Sequence, residues 1–253
     1  MAFDANAAID SFWSARARDE YFPREWFDRL SLDEAYRVQL GMITRRVAGG
    51  ERQIGWKVGL TAPAIQQQFG FHEPVFGCIL ESRPSGHVFG RDDLIKPGFE
   101  SELCLRVSQP LSGEIDMATA RRAIDVVYPS LEIIETRGDF TAQIALALAD
   151  NAQQKTVILG SPVALGDSAL EQVVATVQIN GNTVATGTGD AVLGNPLNSV
   201  IWLARKLTEF GRSIQPGEII MSGSFTRQFP IEPGDHVHVS FAGIGNVQTS
   251  MLG

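Results

Sequence analysis

The feature that most constrains the fold is a series of short apolar runs in the last hundred residues. Most of these runs have the length and composition of a strand. Asn180-Gly181 separates two of them and is a strong hairpin signal, because a tight two-residue turn needs positive φ at its central positions. One helical pattern, Asn198–Phe210, interrupts the series. The runs predict strands at Thr156–Leu159, Val173–Ile179, Thr183–Thr186, Glu218–Met221, His236–Phe241 and Asn246–Met251.

The first fifty residues have helical periodicity instead. The ranges 5–19 and 32–48 predict two helices, and Ser31 with Glu34 forms a capping box at the start of the second. Helices in front and many short strands behind predict an α+β fold with a mixed, rolled or barrel-like sheet. We expect a single catalytic domain, in which residues 1–50 form a helical layer and residues 51–253 form a β-rich, metal-binding core.

Two carboxylates stand out in the strand-like run Pro97–Val107. Glu100 and Glu102 are two residues apart, and side chains alternate along a strand, so both lie on the same face. Neighbouring carboxylates repel each other unless a positive charge lies between them, and Mg²⁺ and Mn²⁺ are bound by oxygen ligands of this kind. The alternative is a solvated acidic edge on an ordinary strand.

Two further charged residues interrupt apolar runs. Glu132 lies inside the predicted strand Tyr128–Glu135, where a buried carboxylate needs a partner. Lys57 lies in the predicted strand Ile54–Leu60, between glycines and apolar residues. It is either an edge charge whose stem lies along the sheet, or a buried amine used in chemistry.

Composition excludes several classes of function. The chain of 253 residues has 21 basic and 29 acidic residues, a net charge of −8, and no basic cluster, so nucleic acid and anionic membranes are poor candidates as partners. Cys78 and Cys104 lack metal-site spacing. No dinucleotide fingerprint, P-loop or nucleophile elbow occurs. Without a run of about 18 apolar residues or a signal peptide, a cytoplasmic protein is expected.

Several stretches together resemble the hydratase/decarboxylase branch of the fumarylacetoacetate hydrolase superfamily, which includes the 2-oxopent-4-enoate (2-hydroxypentadienoate) hydratases. They follow the order of that family over residues 30–250, so the set is far more specific than any single stretch. The matching stretches are Gly55-Trp-Lys-Val-Gly-Leu-Thr, Gln66-Gln-Gln-Phe-Gly, Glu100-Ser-Glu, Leu131-Glu-Ile-Ile-Glu, Ala149-Asp-Asn-Ala, Val192-Leu-Gly-Asn-Pro-Leu, Ser222-Gly-Ser-Phe-Thr and Pro233-Gly-Asp.

The resemblance implies a set of functional residues. It implies a divalent cation, Mg²⁺ or Mn²⁺, bound by Glu100, Glu102 and Glu132. It also implies that Lys57 faces the substrate and transfers a proton or stabilises an enolate. The carboxylate end of the substrate is expected to bind to three residues of one turn, namely Gly223, Ser224 and Thr226.

One departure from the family pattern concerns the loop expected over Phe69–Leu80. Many hydratases of this group carry an acid/base aspartate in a Pro-Asp-Phe-Gly run, whereas this chain has valine there, at Val75. His72 and Glu73 lie close enough in sequence to replace it as catalytic residues. A short helix is expected just before this loop, ending at Gln68.

The resemblance implies a lyase that adds water to a 2-hydroxyalka-2,4-dienoate and yields a 4-hydroxy-2-oxo acid in aromatic catabolism. Two alternatives use the same scaffold: decarboxylation of a 4-oxalocrotonate-type acid, and hydrolysis of an acylpyruvate carbon–carbon bond. A non-catalytic partner subunit is a third alternative. We expect a small 2-oxo acid as ligand and a homo-oligomer, with association with another enzyme of the pathway as a further option.

Overall fold

The fold is described from a computed structural model, which describes residues 3–62, 66–67, 70 and 72–253. Within those ranges none of the helices has the length and apolar character needed to span a bilayer. The five helices in the described part of the chain are α1 Ala5–Arg16, α2 Leu32–Ala48, α3 Met117–Ala123, α4 Ile144–Ala149 and α5 Pro196–Thr208.

The described strands are β1 Gly55–Gly59, β2 Val75–Ile79, β3 Ser82–Pro84, β4 His87–Phe89, β5 Pro97–Val107, β6 Ile124–Glu135, β7 Gln154–Leu159, β8 Val163–Ala164, β9 Val174–Ile179, β10 Asn182–Thr188, β11 Ile219–Ser224, β12 Phe229–Pro230, β13 His236–Phe241 and β14 Gly245–Met251.

These strands form two sheets. The larger sheet has the order β2-β1-β11-β5-β6-β7-β3, with β12 added to β5 and β8 added to β6, and it curls into a half-barrel. The smaller sheet has the order β10-β9-β13-β14-β4. The predicted α+β class with a rolled sheet is therefore confirmed.

Of the two N-terminal helices, α2 packs against β2 of the larger sheet, and α1 packs against α2. The predicted bounds of α2 are confirmed, and both hydrogen bonds of its capping box are present. The helix α1 ends before the predicted residue 19, since Asp19 has a left-handed φ of 57° that a right-handed helix cannot continue. Gln39 of α2 is fully buried and donates to the carbonyls of Phe76 and Leu148, which ties the helical layer to β2 and α4.

Two expectations about the middle of the chain are corrected. The stretch Phe69–Leu80 was expected to be a loop, but its second half is the buried strand β2, which pairs antiparallel with β1 along all five residues. The sequence also predicts a helix over Met117–Val127, but this helix, α3, ends at Ala123, and β6 begins at Ile124. The helix expected before Gln68 lies largely outside the described residues.

The half-barrel interior has an apolar base below a charged layer. Glu100, Glu102 and Cys104 alternate along β5 and so share one face. The face opposite them, with Leu103 and Leu105, is fully buried as well, so β5 has no solvated side at its centre. The apolar base consists of Ile79, Cys104, Val157, Ile219 and Met221. Charged side chains one step further along the strands therefore rest on a closed apolar base.

The close approach of β1 to β11 generates a test of this arrangement. A Cβ at Gly55 would overlap the carbonyl oxygen of Ile219 in the neighbouring parallel strand. We expect Gly55→Ala to lower the free energy of unfolding by about 2 kcal/mol, as overpacking of a closed contact does. The measurement is urea unfolding, with Gly49→Ala as the matched control, because Gly49 has an ordinary φ of −80° and a contact of 3.3 Å at worst. Equal losses in both variants would contradict the packing.

Candidate active site

Three glutamates from two neighbouring strands meet inside the half-barrel. Glu100 of β5 lies directly opposite Glu132 of β6 in the antiparallel register, and Glu102 is two residues further along β5. One carboxylate oxygen from each lies within 4.8 Å of those from the other two. Glu102 and Glu132 are fully buried, and Glu100 is half-buried. The register thus brings together the three residues that the sequence predicts as metal ligands.

Three oxygens of this cluster accept no hydrogen bond from the described residues. Within the described chain, Glu102 Oε1 and both oxygens of Glu132 accept no hydrogen bond, while Glu102 Oε2 accepts the Gly223 N–H at 2.8 Å. Burial, and then the neighbouring carboxylates, raise the pKa of Glu102 well above its ordinary value. Burial also raises the pKa of Glu132, to about 7. Buried carboxylate oxygens without donors fit a hard divalent cation, which takes oxygen ligands.

Lys57 provides a positive charge beside the cluster. Its Nζ lies 3.5 Å from Glu132 Oε1, and its side chain is buried. Burial disfavours the ammonium, but the fields of Glu132, Glu100 and Glu102 together outweigh burial and raise the Lys57 pKa. The two interpretations left open by the sequence are thereby resolved in favour of a buried amine.

Two glycines make room for this lysine. A Cβ at Gly59 would lie 3.1 Å from Lys57 Nζ, and one at Gly77 would lie 3.3 Å from Lys57 Cγ. Gly77 lies opposite Lys57 in the β1–β2 register. A side chain at Gly59 would press on the amine and one at Gly77 on the lysine stem, so both strands have glycine beside Lys57.

A cavity of about 580 Å³ opens above the charged layer. Lys57 and Glu100 line its inner end, and Leu60, Val75 and Ile134 contribute apolar wall. The cavity therefore offers a charged inner end, where Lys57 can attract an acid group, and apolar wall for a carbon chain.

The predicted substrate-binding turn is only partly at the cavity. Ser224 and Thr226 line it. The Gly223 amide instead donates to Glu102, so it is engaged by a carboxylate of the cluster rather than free for a substrate. Gly223 has a φ of +113°, and a Cβ there would collide with the Thr61 side chain, which explains why this position is glycine.

The predicted acid/base residues Glu73 and His72 lie elsewhere. Glu73 accepts a hydrogen bond at 2.9 Å from the buried Lys206 of α5, and one at 3.4 Å from Trp202. His72 is exposed. Neither is among the described residues that line the cavity, whereas Val75 is. The structure thus does not bring these two residues together with Lys57 and the three glutamates.

Sequence reasoning missed a supporting turn after α4. Asn151, Ala152 and Gln153 have φ of 58°, 49° and 60°, a left-handed conformation that costs energy in residues other than glycine. The Asn151 side chain accepts the Cys78 N–H at 2.7 Å and donates to the Cys78 carbonyl at 2.8 Å. Ala152 and Gln153 thereby reach the cavity wall. Only the motif Ala149-Asp-Asn-Ala signalled this turn in the sequence.

A buried ion pair fixes the base of the same turn. Arg137 is almost fully buried and contacts Glu135 and Asp150, donating to the Asp150 carbonyl at 2.8 Å as well. Burial opposes its charge, but Asp150 and Glu135 outweigh this and raise the Arg137 pKa. Breaking such a pair leaves an uncompensated buried charge, so it holds the cavity wall in place.

Comparisons with known proteins agree with this geometry. The model of the fumarylacetoacetate (FAA) hydrolase C-terminal family matches residues 82–251. The chain is 34% identical over 231 residues to 2-keto-4-pentenoate hydratase of Paraburkholderia xenovorans (strain LB400), covering 89% of this chain and 86% of that protein. It is 32% identical over 232 residues to 2-oxo-hept-4-ene-1,7-dioate hydratase of Escherichia coli, covering 87% of each.

A solved structure is similar over nearly the whole chain. It is 4-oxalocrotonate decarboxylase from Pseudomonas putida G7, complexed with magnesium and adipate. The TM-score is 0.93 at 30% sequence identity, and the match covers 99% of each chain.

The carboxylate cluster is tested by measuring the melting temperature of one variant without and with Mg²⁺. In the presence of a chelator, we expect the melting temperature of Glu102→Gln to be at least that of the wild-type protein. The substitution removes a buried carboxylate that is repelled by the other two. We expect saturating Mg²⁺ to raise the melting temperature of the unchanged protein by about 5–10 °C and that of the variant far less. Differential scanning calorimetry measures both.

Glu114→Gln is the control for this test, since Glu114 is exposed and distant in sequence from the cluster. It is expected to keep the full response to Mg²⁺. An equal response to Mg²⁺ in Glu102→Gln would contradict a metal site built on these residues.

Proposed function

The chain belongs to the fumarylacetoacetate hydrolase family, and from that premise we propose that it is a metal-dependent hydratase. Its relatives are named as enzymes, and it is an enzyme too. We propose that it adds water to a 2-hydroxyalka-2,4-dienoate such as the enol form of 2-keto-4-pentenoate. The observation that carries the proposal is the buried cluster of three carboxylates with Lys57 at the inner end of the cavity. Assembly into a homo-oligomer and a cytoplasmic location stay predictions.

Glu100, Glu102 and Glu132 would hold the divalent cation. Their unpartnered oxygens support this assignment, and so does the presence of magnesium in the similar decarboxylase structure. When bound, a divalent cation supplies positive charge that stabilises the negative charge developing on a 2-oxo acid. The resemblance implies Mg²⁺ or Mn²⁺ as this cation.

Lys57 moves the proton in this proposal. Its Nζ is close enough to the cluster to reach the 2-hydroxyl oxygen of an acid bound there. The three carboxylates raise the Lys57 pKa. A cation held by them would offset their charge and lower that pKa, so that the amine would release a proton more readily. Lys57 then accepts the proton of the 2-hydroxyl group and returns it to the carbon chain.

Ketonisation of the dienol activates the distal carbons. A proton placed on C5 converts the dienol into a conjugated 2-oxo-3-enoate, in which C4 is electrophilic. Water then adds with its oxygen on C4 and a proton on C3, which yields the 4-hydroxy-2-oxo acid. Val75, Leu60 and Ile134 hold the carbon chain between the charged inner end and the opening.

Decarboxylation is the second candidate, and the close match to a 4-oxalocrotonate decarboxylase structure favours it. Both reactions need the same stabilisation of negative charge at the 2-oxo end. Incubation with 2-hydroxypenta-2,4-dienoate and with 4-oxalocrotonate, followed by mass spectrometry, distinguishes them. Gain of water on the first compound supports the hydratase. Loss of CO₂ from the second without hydration of the first would support the decarboxylase instead.

The assigned role of Lys57 generates a quantitative prediction. We expect Lys57→Gln to lower kcat by about 10²–10⁴-fold, because a positioned proton-transfer group contributes an acceleration of that size. Steady-state hydration kinetics with Mg²⁺ measure it. Lys155→Gln is the control, since Lys155 is partly exposed and pairs with Glu135 outside the cavity, and it is expected to leave kcat unchanged. A kcat within threefold of the unchanged enzyme for Lys57→Gln would refute the role.

The position of Glu73 generates the opposite prediction. Because Lys206 and Trp202 hold its carboxylate, we expect Glu73→Gln to keep kcat within about threefold of the unchanged enzyme. The variant is expected to lower the free energy of unfolding by about 1 kcal/mol, through loss of a part-buried ion pair. Kinetics and urea unfolding measure the two effects. A drop of kcat by 100-fold or more with unchanged stability would restore Glu73 as the acid/base residue.

A further inference from the structure

The cavity has a second cationic side chain at its exposed edge. Among the described residues that line it, Lys57 and Arg227 are the two cations. Lys57 is buried beside Glu132, whereas Arg227 is exposed in the turn between β11 and β12. In the described part of the chain no carboxylate lies within ion-pair distance of Arg227. Among the described residues, the guanidinium has one hydrogen bond, a long one of 3.4 Å to the Gln228 carbonyl.

An aromatic stack fixes this guanidinium relative to the carboxylate cluster. Arg227 Cζ lies 4.0 Å from the centre of the Phe229 ring, which stacks at 5.7 Å on the ring of Phe99. Phe229 and Phe99 are register partners of β12 and β5, and Phe99 directly precedes Glu100. The strand that carries the carboxylates therefore also anchors Arg227. A guanidinium stacked on a ring keeps its N–H edges free to donate to a planar anion.

Part of the cavity wall is apolar, since Leu60, Val75, Ile134 and Ala152 line it together with the two cations. A ligand that contacts both Lys57 and Arg227 therefore carries an acid at each end and a short carbon chain between them. An acid with an uncharged tail would leave the guanidinium without a partner.

We propose that Arg227 binds a second carboxylate at the distal end of the substrate, so that the enzyme prefers 2-oxo dicarboxylic acids to 2-oxo acids with uncharged tails. The proposal rests on the proposed function for the assignment of the 2-oxo end to the glutamate cluster. It adds the substrate class, which the carboxylate cluster and Lys57 do not determine.

Asp139 is the group that opposes this preference. It lies in the same cavity lining and is exposed. One of its oxygens, Oδ1, accepts the Ala142 N–H at 2.9 Å, so part of its charge is directed toward the start of α4 rather than into the cavity. The test therefore has to measure whether Arg227 attracts a second carboxylate more strongly than Asp139 repels it.

The test compares two ligands that differ only at the tail. Isothermal titration calorimetry in saturating Mg²⁺ would measure 2-oxoadipate and 2-oxohexanoate, which share the 2-oxo acid end and the chain length. For the unchanged protein we expect the dicarboxylate to bind about tenfold more tightly, since a hydrogen-bonded but exposed ion pair contributes at that level. Arg227→Gln is expected to abolish the preference and to leave the affinity for 2-oxohexanoate unchanged.

Three further variants complete the design. Arg227→Lys is expected to keep part of the preference, because it retains the charge but loses the planar fork. Arg91→Gln removes an exposed arginine outside the described cavity lining and is expected to change nothing. A preference that survives in Arg227→Gln, or that is absent from the unchanged protein, overturns the proposal. A preference that responds to Asp139→Asn but not to Arg227→Gln overturns it as well.

A kinetic arm separates this proposal from the proposed function. It compares kcat/KM for the dienol forms of 2-oxohept-4-ene-1,7-dioate and 2-keto-4-pentenoate, with and without Arg227→Gln. A dicarboxylate preference that Arg227→Gln removes supports the proposal. If neither compound is hydrated, the hydratase assignment fails, while the calorimetric ratio still decides the role of Arg227.

Discussion

Two glutamates that face each other across an antiparallel strand pair, Glu100 and Glu132, impose the constraint on which the rest of this structure depends. Like charges directly opposite in a sheet destabilise it, and Glu102 adds a third buried carboxylate. The sheet resists this repulsion because β5 pairs on both sides, with β6 along its length and with β11 and β12 on the other edge. The strands therefore cannot move apart to separate the charges.

The burial of the carboxylates explains why solvent screens their charges poorly. The apolar base containing Cys104 and Met221 is buried, and among the carboxylates Glu100 lines the cavity. Lys57 is one positive charge against three negative ones. In a region of low dielectric, the excess negative charge attracts a divalent cation strongly. The same negative charge raises the Lys57 pKa.

The sequence allowed the composition of the cluster to be predicted but not all of its surroundings. Strand periodicity places Glu100 and Glu102 on one face, and the apolar neighbours of Glu132 mark it as buried, although only the folded register shows that it lies opposite Glu100. The strand β2 was missed because Gly77 interrupts its apolar run. The partner of Glu73 is Lys206, 133 residues away, and no local pattern reveals such a contact.

The valine at position 75 and the proposed substrate class are connected through the charge of the cavity lining. Val75 lines the cavity, at the position where, by the resemblance, many hydratases of this group carry aspartate, so a carboxylate there would add a further negative charge to the cavity. Valine removes that repulsion as well as an acid/base group. Arg227, held on Phe229 at the exposed edge of the cavity, also adds positive charge there. Both features lower the electrostatic cost of admitting a ligand with two carboxylates, because each makes the potential in the cavity less negative.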